Sequence, residues 1–339
     1  MSATRILQQK NLGPLFQSLT AAKYRLLAPV KDGERISFAE VTSPERVAAD
    51  YVQTDGSAKA AVFPAHEMML RYRLKGKDVE MQEVVPPAQP TVLFGLHPCD
   101  AASFATLQAV FTWDSPDVYF ESKLAKTTVI GLSCTKGDAY CFCTSVGGGP
   151  GETRGSDILL TPLSGGRYLA EILTPKGEAI VKLAPTLFEP AGNEPKDGTL
   201  ARIAPRFGTK PLAEKLLKLF DKPNVWVEQS LRCIGCGACA FVCPTCTCFD
   251  IQDERERYSG VRLRCWDSCG FSLFTLHASG HNPRTKQSER WRQRIMHKFS
   301  YQPERLGVLG CVGCGRCSRS CPADMNLAEH AAALAEMTA

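Results

Sequence analysis

The sequence predicts an α+β protein, in which an N-terminal mixed α/β domain precedes a smaller cysteine-rich domain. Three observations support this fold class. Apolar runs of strand length flank a helix-like segment over residues 91–134. Twelve of the sixteen cysteines lie from Cys233 onward, and a loop-rich stretch at residues 189–211 separates the two regions. We therefore expect a domain boundary near residue 225, with domains at 1–225 and 226–339.

The composition is that of an ordinary globular protein, with 44% hydrophobic and 22% charged residues. No run approaches the roughly 20 apolar residues that a membrane span needs. Residues 1–20 lack the apolar core of a secretion signal. We expect a cytoplasmic protein without a membrane span. Because disulfides are rare in a reducing compartment, its grouped cysteines indicate metal or redox sites.

The N-terminal domain is expected to contain a βαβ unit. The runs TVLFGLHP (91–98) and TTVIGLSC (127–134) predict strands, and AASFATLQAV between them predicts a helix that Asp100 caps. Strand, helix and strand in this order predict a right-handed unit with parallel strands. The runs ILLTPL and YLAEIL predict a hairpin that turns at residues 164–166. A short amphipathic helix is expected at residues 212–220.

The second domain leaves little room for regular structure, because cysteine loops fill most of it. Its closing segment, NLAEHAAALAEM, predicts a helix capped by Asn326. The internal repeat of this domain is a cysteine motif, C-x2-C-x2-C-x3-C followed by proline. The two copies are Cys233, Cys236, Cys239 and Cys243, and Cys311, Cys314, Cys317 and Cys321.

This spacing is that of two-cluster bacterial ferredoxins, in which the fourth cysteine of each motif ligates the other cluster. It predicts a ferredoxin-like dicluster domain with two [4Fe–4S] clusters and an insert between the motifs. One cluster takes Cys233, Cys236, Cys239 and Cys321, and the other takes Cys311, Cys314, Cys317 and Cys243.

Two other interpretations of the cysteines fit less of the sequence. A zinc site built from Cys233, Cys236, Cys311 and Cys314 would leave the other motif cysteines unexplained. The run from Cys239 to Cys246 also has the C-x3-C-x2-C spacing of radical-SAM enzymes. Only 93 residues follow Cys246, which is too few for the barrel of such an enzyme.

Eight further cysteines form two additional groups. Cys246, Cys248, Cys265 and Cys269 lie in the insert and predict a third cluster, in which His281 or His297 could replace one thiolate. Each histidine is also typical of a hydrogen-bonded structural residue. Cys99, Cys134, Cys141 and Cys143 predict a fourth cluster, because the carboxyl ends of parallel strands meet at one sheet edge.

The basic segment Arg284–Lys298 is expected to offset cluster charge or to contact a partner protein, rather than nucleic acid. The formal charge of +5 omits the clusters, each of which adds about −2 with its four thiolates. No Ser–His–Asp, paired-carboxylate or P-loop arrangement indicates a catalytic residue.

Several motifs together resemble the β (iron–sulfur) subunit of sulfhydrogenases, the NAD(P)-linked [NiFe] hydrogenases, and the related iron–sulfur subunit of anaerobic sulfite reductase. They are FGLHPCD, IGLSC with YCFC, CIGCGACAFVCPTCTCFDIQD, RCWDSC, GHNPR and CVGCGRCSRSCPA. The resemblance implies that the extra cysteines recur among relatives, except Cys265, where relatives often carry another residue. Either His281 or His297 is then a candidate for that position.

The resemblance further implies an electron relay between a flavin subunit that handles NAD(P)H and a catalytic partner. That partner would be a hydrogenase, a sulfite reductase or a heterodisulfide-reductase-like subunit. We expect two to four [4Fe–4S] clusters and no bond chemistry by this chain alone. The alternative is a self-contained iron–sulfur oxidoreductase that acts on a small sulfur compound.

Overall fold

The computed structural model describes residues 3–48, 50–85, 88–192 and 194–337. Its strands are β1 (Ala3–Gln8), β2 (Arg25–Asp32), β3 (Arg35–Glu40), β4 (His66–Lys75), β5 (Asp78–Glu83), β6 (Thr91–Leu96), β7 (Thr127–Leu132), β8 (Ile158–Leu163), β9 (Arg167–Ile172), β10 (Phe188–Pro190), β11 (Phe249–Arg255) and β12 (Ser259–Trp266). Its α-helices are α1 (Leu12–Ala21), α2 (Pro98–Phe111), α3 (Val118–Ala125), α4 (Pro175–Leu183), α5 (Thr209–Leu219), α6 (Pro223–Ser230), α7 (Ala238–Phe241), α8 (Gln287–Met296), α9 (Gln302–Leu306), α10 (Arg316–Arg319) and α11 (Leu327–Glu336).

An eight-stranded mixed sheet organises the N-terminal half, in the order β10-β1-β9-β8-β7-β6-β2-β3. Strands β2, β6, β7 and β8 are parallel neighbours, and the remaining pairs are antiparallel. Every residue of β6 is buried, since helices cover both faces of the sheet. Phe16 of α1 packs on one face, and Phe104 of α2 and Phe120 of α3 pack on the other.

The strands predicted at residues 91–98 and 127–134 are confirmed as parallel neighbours, and the predicted hairpin is β8–β9. The predicted cap at Asp100 is wrong. Helix α2 begins earlier, at Pro98, and His97 is its N-cap residue. Proline suits the first helical position, because no hydrogen bond is lost there. Asp100 lies buried in the first turn, where its carboxylate binds Arg316.

The expectation of little regular structure in the second domain is also wrong. Strands β11 and β12 form a hairpin within the cysteine-bearing insert, and they complete a four-stranded sheet in the order β11-β12-β4-β5. Every residue of β11 is exposed, so its charged sequence lacks the apolar alternation of a half-buried strand. The hairpin pairs with β4 of the N-terminal half, and this pairing is what gives the insert its strand structure.

Helices α5, α6, α8 and α11 enclose the C-terminal core, around Trp226, Trp291 and Leu334. The predicted helices at residues 212–220 and after Asn326 are confirmed, and the Asn326 side chain caps α11 at Ala328. Phe142 joins this core from the N-terminal half. The boundary near residue 225 stays a prediction. Among the described residues, the helices are too short or too polar to span a bilayer.

Candidate metal centres

The first cysteine motif wraps around a cavity. Cys233, Cys236, Cys239 and Cys321 all line it, together with Cys269 of the insert and Cys317 of the second motif. Gly235 and Gly237 have φ of +70° and +74°, a left-handed conformation that lets the backbone turn between the thiols at low cost. The Gln287 Nε2 atom donates a hydrogen bond to Cys233 Sγ at 3.1 Å. Cys236 is exposed, so this group lies at the surface.

The second motif forms a buried counterpart. Cys311, Cys314 and Cys317 lie together, and the Cys243 thiol contributes to the electrostatic surroundings of Cys311 and Cys314. Burial raises the pKa of Cys311 to about 11 and that of Cys314 to about 12. The protein alone therefore favours the protonated thiols here, and ligation of iron would have to displace their protons. Cys321 thus lies with the first motif and Cys243 lies near the second, as the predicted exchange of the fourth ligands requires.

The insert brings three of its four cysteines together. The Cys248 and Cys269 thiols hydrogen-bond to each other, and Cys246 lies close to Cys248. Cys265 does not join them, because it lies within strand β12, where it pairs with Asp250 of β11. Among the described contacts, none places His281 or His297 beside these three thiols in the position expected for Cys265. His281 is exposed and stacks edge-on against His277.

His297 lines a cavity together with Thr247, which lies between two of the insert cysteines. Burial lowers the pKa of His297 to about 4, with Lys298 and Arg294 adding to the effect. Its imidazole is therefore neutral at pH 7.

The N-terminal cysteines converge although they come from three separate segments. Cys99 lies in the first turn of α2, Cys134 follows β7, and the loop after Cys134 returns Cys141 and Cys143 to the same place. All four line one small cavity, which Cys314 of the second group also lines. Burial raises the pKa of Cys143 to about 11 and raises that of Cys134 further.

The N-terminal group and the second group are joined by direct contacts. The Gln53 Nε2 atom lies 3.6 Å from Cys99 Sγ and 3.4 Å from the Cys314 carbonyl oxygen. Gly313 packs so closely that a Cβ atom there would lie 2.5 Å from the Cys143 backbone. The Phe142 N–H donates to the Gly313 carbonyl at 3.0 Å. The two groups therefore form one continuous region.

Buried cations without carboxylate partners surround the cysteines of the C-terminal half. Lys59, Arg290, Arg294 and Lys298 are each at most 9% exposed. Across the described residues, the ion pairs within 4.0 Å include none of these four cations.

Their hydrogen bonds are instead to backbone and side-chain carbonyl oxygens, to the Thr245 hydroxyl and to sulfur. Lys298 Nζ lies 3.4 Å from Cys243 Sγ and 3.8 Å from Cys246 Sγ, and Arg294 Nη1 lies 3.7 Å from Cys246 Sγ. Burial opposes the charge of Lys298, yet the Cys243 and Cys246 thiols raise its pKa above the ordinary value. Burying unpaired charges is costly, so these cations fit a buried anionic group held by the thiols.

Two other buried arginines follow the usual rule and have carboxylate partners. Arg264 pairs with Glu67 and Asp117. Arg316 donates to both oxygens of Asp100, at 2.5 and 2.6 Å, and both residues are 1% exposed. Burial alone therefore does not explain why Lys59, Arg290, Arg294 and Lys298 lack carboxylate partners. An iron–sulfur cluster with four thiolates carries the negative charge that this region lacks.

The sequence predicted that the basic segment offsets cluster charge or contacts a partner protein, but it did not identify which residues face the thiols. Arg290, Arg294 and Lys298 recur every four residues, which places them on one face of α8 and its continuation. That spacing was visible in the sequence. Lys59 and Gln53 lie far from any cysteine in the sequence, and no motif around them indicates that they contact the cysteine groups.

In the described part of the chain, no three His, Cys, Asp or Glu side chains are grouped to hold one metal ion. A cubane takes its four thiolates at separate corners, so its ligands stand farther apart than those around a single ion. Within the described residues, the lack of such a compact group is compatible with the wider ligand spacing of a cubane.

Comparison with known proteins gives two matches. The 4Fe-4S dicluster domain family matches residues 232–325. Sulfhydrogenase 2 subunit beta of Pyrococcus furiosus is 32% identical over 322 residues, which cover 92% of each chain. No solved structure gives a significant match. The dicluster domain carries two [4Fe–4S] clusters, as the repeated motif predicts.

Proposed function

This chain belongs to the family of the sulfhydrogenase 2 β subunit, and on that premise we propose that it relays single electrons between two partner subunits of an oxidoreductase complex. One partner is a flavin subunit that handles NAD(P)H. The other is a catalytic subunit, of which a hydrogenase is the first candidate because the relative is named as a hydrogenase subunit. The continuous run of cysteine groups is the observation that carries the proposal.

Cluster ligands are proposed at the two motif groups and at the N-terminal group. The motif groups use Cys233, Cys236, Cys239 and Cys321, and Cys311, Cys314, Cys317 and Cys243. The N-terminal group uses Cys99, Cys134, Cys141 and Cys143. When bound, [4Fe–4S] clusters supply one-electron transfer with little rearrangement. The chain itself contributes the order of the sites, their burial and the surrounding cations.

The order of the sites follows from shared contacts. Cys99 of the N-terminal group lies within the electrostatic reach of Cys314 of the second group. Cys317 of the second group likewise lies close enough to Cys239 of the first group for its charge to affect that thiol. The second group therefore lies between the N-terminal group and the surface-exposed first group. This arrangement suits a relay with an entry at one end and an exit at the other.

The surface around Cys236 supports a permanent partner. Leu231, Ile234 and Leu273 are 75%, 70% and 69% exposed. The loops that carry them adjoin, since a Cβ atom at Gly235 would lie 3.6 Å from the Gly270 carbonyl oxygen. We call Leu231, Ile234, Cys236 and Leu273 the Cys236 face. Apolar surface of this kind is typical of permanent subunit interfaces, whereas transient redox contacts are small and more polar.

The cytoplasm is the proposed compartment. All sixteen cysteines are free of disulfides, and cluster ligation needs them as thiolates. A reducing compartment keeps thiols available for this purpose.

Native anaerobic purification tests the proposal. We expect the chain to co-elute with a flavin subunit and with a hydrogenase or another catalytic subunit, and to contain iron and sulfide. A chain that elutes alone with its full iron and sulfide, and that reduces a small sulfur compound by itself, would establish the self-contained oxidoreductase instead.

Two serine variants test the ligand sets of the dicluster domain. Cys236→Ser and Cys314→Ser each remove one thiolate from a different set, so each variant should lose one cluster and slow electron transfer. Iron analysis and reduction rates with a flavin donor measure both effects. Full iron content and full rates in both variants would contradict the assignment.

A further inference from the structure

The insert holds three converging thiols and one that lies elsewhere. The Cys248 and Cys269 thiols hydrogen-bond to each other, and the Cys246 thiol lies close enough to Cys248 for its charge to act on that thiol. Cys246 also hydrogen-bonds to Cys243 of the second group, so it lies between the second group and the insert pair. Their backbone supports the same grouping, since the Asp267 N–H donates to the Cys248 carbonyl at 3.0 Å. Cys269 therefore lies beside Cys248 because two separate loops are tied together.

Cys265 faces a different environment. It lies opposite Asp250 on one side and opposite His66 on the other within the second sheet. The charges that act on its thiol are those of Glu254 and Asp250, both of which are carboxylates. Negative charge at this position disfavours an anionic cluster. Strand pairing on both sides also holds Cys265 in place.

Three buried cations face the converging thiols. Arg294 and Lys298 contact the Cys246 sulfur, and Lys59 Nζ lies 3.0 Å from the Cys246 carbonyl oxygen. Lys59 also lies 3.9 Å from the centre of the Trp266 ring. Lys59 is 2% exposed and, within the described residues, forms no carboxylate pair. Among the described hydrogen bonds of Lys59 and Arg294, none goes to a thiol of the second group, so a further anionic group beside Cys246 would suit their charge.

We propose that Cys246, Cys248 and Cys269 hold a third iron–sulfur cluster through three thiolates, and that its fourth iron takes a ligand from solvent. Cys265 is not a ligand. This inference extends the proposed function, because an iron without a protein ligand offers a place for a small anionic molecule beside three cations. The other proposed groups each have four thiolates, so this site is chemically distinct.

Mild oxidation distinguishes such a cluster. An iron without a cysteine ligand leaves as Fe²⁺ when ferricyanide removes one electron, and a three-iron cluster remains. We expect the anaerobic holoprotein treated with ferricyanide to give a three-iron EPR signal of about one spin per chain. Cys265→Ser should give the same signal and the same iron content. Cys269→Ser should lose the signal together with about one cluster's iron.

Three outcomes would overturn the proposal. These are no three-iron signal in the wild-type protein, loss of the signal in Cys265→Ser, or its persistence in Cys269→Ser. If Cys265→Ser fails to fold, Cys265→Val replaces it in this test, because valine favours the β-strand conformation of this position. A signal that appears only in His297→Ala would assign the fourth position to His297 and also refute the open site. Co-elution of partner subunits is measured separately, so failure here leaves the relay itself testable.

Discussion

Lys298 is the residue in the described structure that contacts thiols of two cysteine groups at once. Its Nζ atom approaches Cys243 Sγ and Cys246 Sγ, and it donates to the Gly310 carbonyl oxygen at 2.7 Å. A cluster gains negative charge on reduction, and a buried cation nearby stabilises the reduced form. Lys298 should therefore raise the reduction potentials of both neighbouring sites.

We expect Lys298→Met to lower these potentials by on the order of 60 mV, a tenfold change in a one-electron equilibrium. Lys298→Arg, which keeps the charge, should change them less. A redox titration followed by EPR measures both variants. Equal potentials in Lys298→Met and the wild type would show that this cation does not tune the sites.

Asp100 and Arg316 form a buried ion pair that joins the two halves of the chain. Arg316 also donates to the Thr54 carbonyl oxygen at 2.9 Å, so the guanidinium is fully engaged. Removing one partner of such a pair leaves the other charge buried and uncompensated. Asp100→Asn should therefore lower the free energy of unfolding by about 3–5 kcal/mol.

Urea denaturation of the anaerobic protein measures this loss. Glu40→Gln is the matched control, because Glu40 forms an exposed pair with Arg25 and should have little effect. If both variants lose the same small amount, the Asp100–Arg316 pair does not stabilise the fold.

At the scale of elements, the loop of the second motif fits against the loop that carries Cys141 and Cys143. Gly313 has a φ of +66°, and a Cβ atom there would meet the Cys143 N and Cα atoms at 2.5 Å. Gly307 has a φ of +68° with open space around it. The two glycines share a left-handed backbone conformation, but only Gly313 packs against another segment of the chain.

Gly313→Ala should therefore move the Cys141–Cys143 loop away from the second group. The left-handed backbone costs about 1–2 kcal/mol in either variant, and the clash adds about 1–3 kcal/mol in Gly313→Ala alone. We expect lower iron content in Gly313→Ala and normal content in Gly307→Ala. Iron analysis and thermal unfolding measure the difference. Normal iron content in Gly313→Ala would mean that this contact does not hold the N-terminal group.

For the molecule as a whole, the Cys236 face is the proposed contact with a partner subunit. Burying a leucine or isoleucine side chain contributes about 1.5–3 kcal/mol, and an aspartate in its place would be left without a partner. Ile234→Asp and Leu273→Asp should each weaken partner binding more than tenfold. Met81 is 74% exposed on β5, at the edge of the second sheet, so Met81→Asp is the control.

Quantitative co-elution of the native complex measures this effect. If Ile234→Asp and Leu273→Asp retain the partner subunits as well as Met81→Asp does, the interface does not lie on the Cys236 face. Iron content in each variant shows whether the cluster sites themselves are intact.

The two ferredoxin motifs could be predicted from the sequence, because three ligands of each proposed set are closely spaced cysteines and that spacing is a local property of the chain. Strands β6 and β7 and helix α11 were also predictable, since their apolar patterns and the Asn326 cap lie within each element. The convergence of the N-terminal cysteines followed from strand order together with the expected parallel pairing. Local patterns sufficed wherever the physical cause lay within one element or between adjacent elements.

The remaining features depend on packing between distant segments. Cys265 was counted with the insert cysteines, but the pairing of β12 with β4, which lies far away in the sequence, holds it elsewhere. Lys59 reaches Cys246 and Arg316 reaches Asp100 over similarly long separations. The sequence carries no signal for such contacts, because they depend on how sheets and loops pack. Which charges are buried, and beside which thiols, is set by that packing.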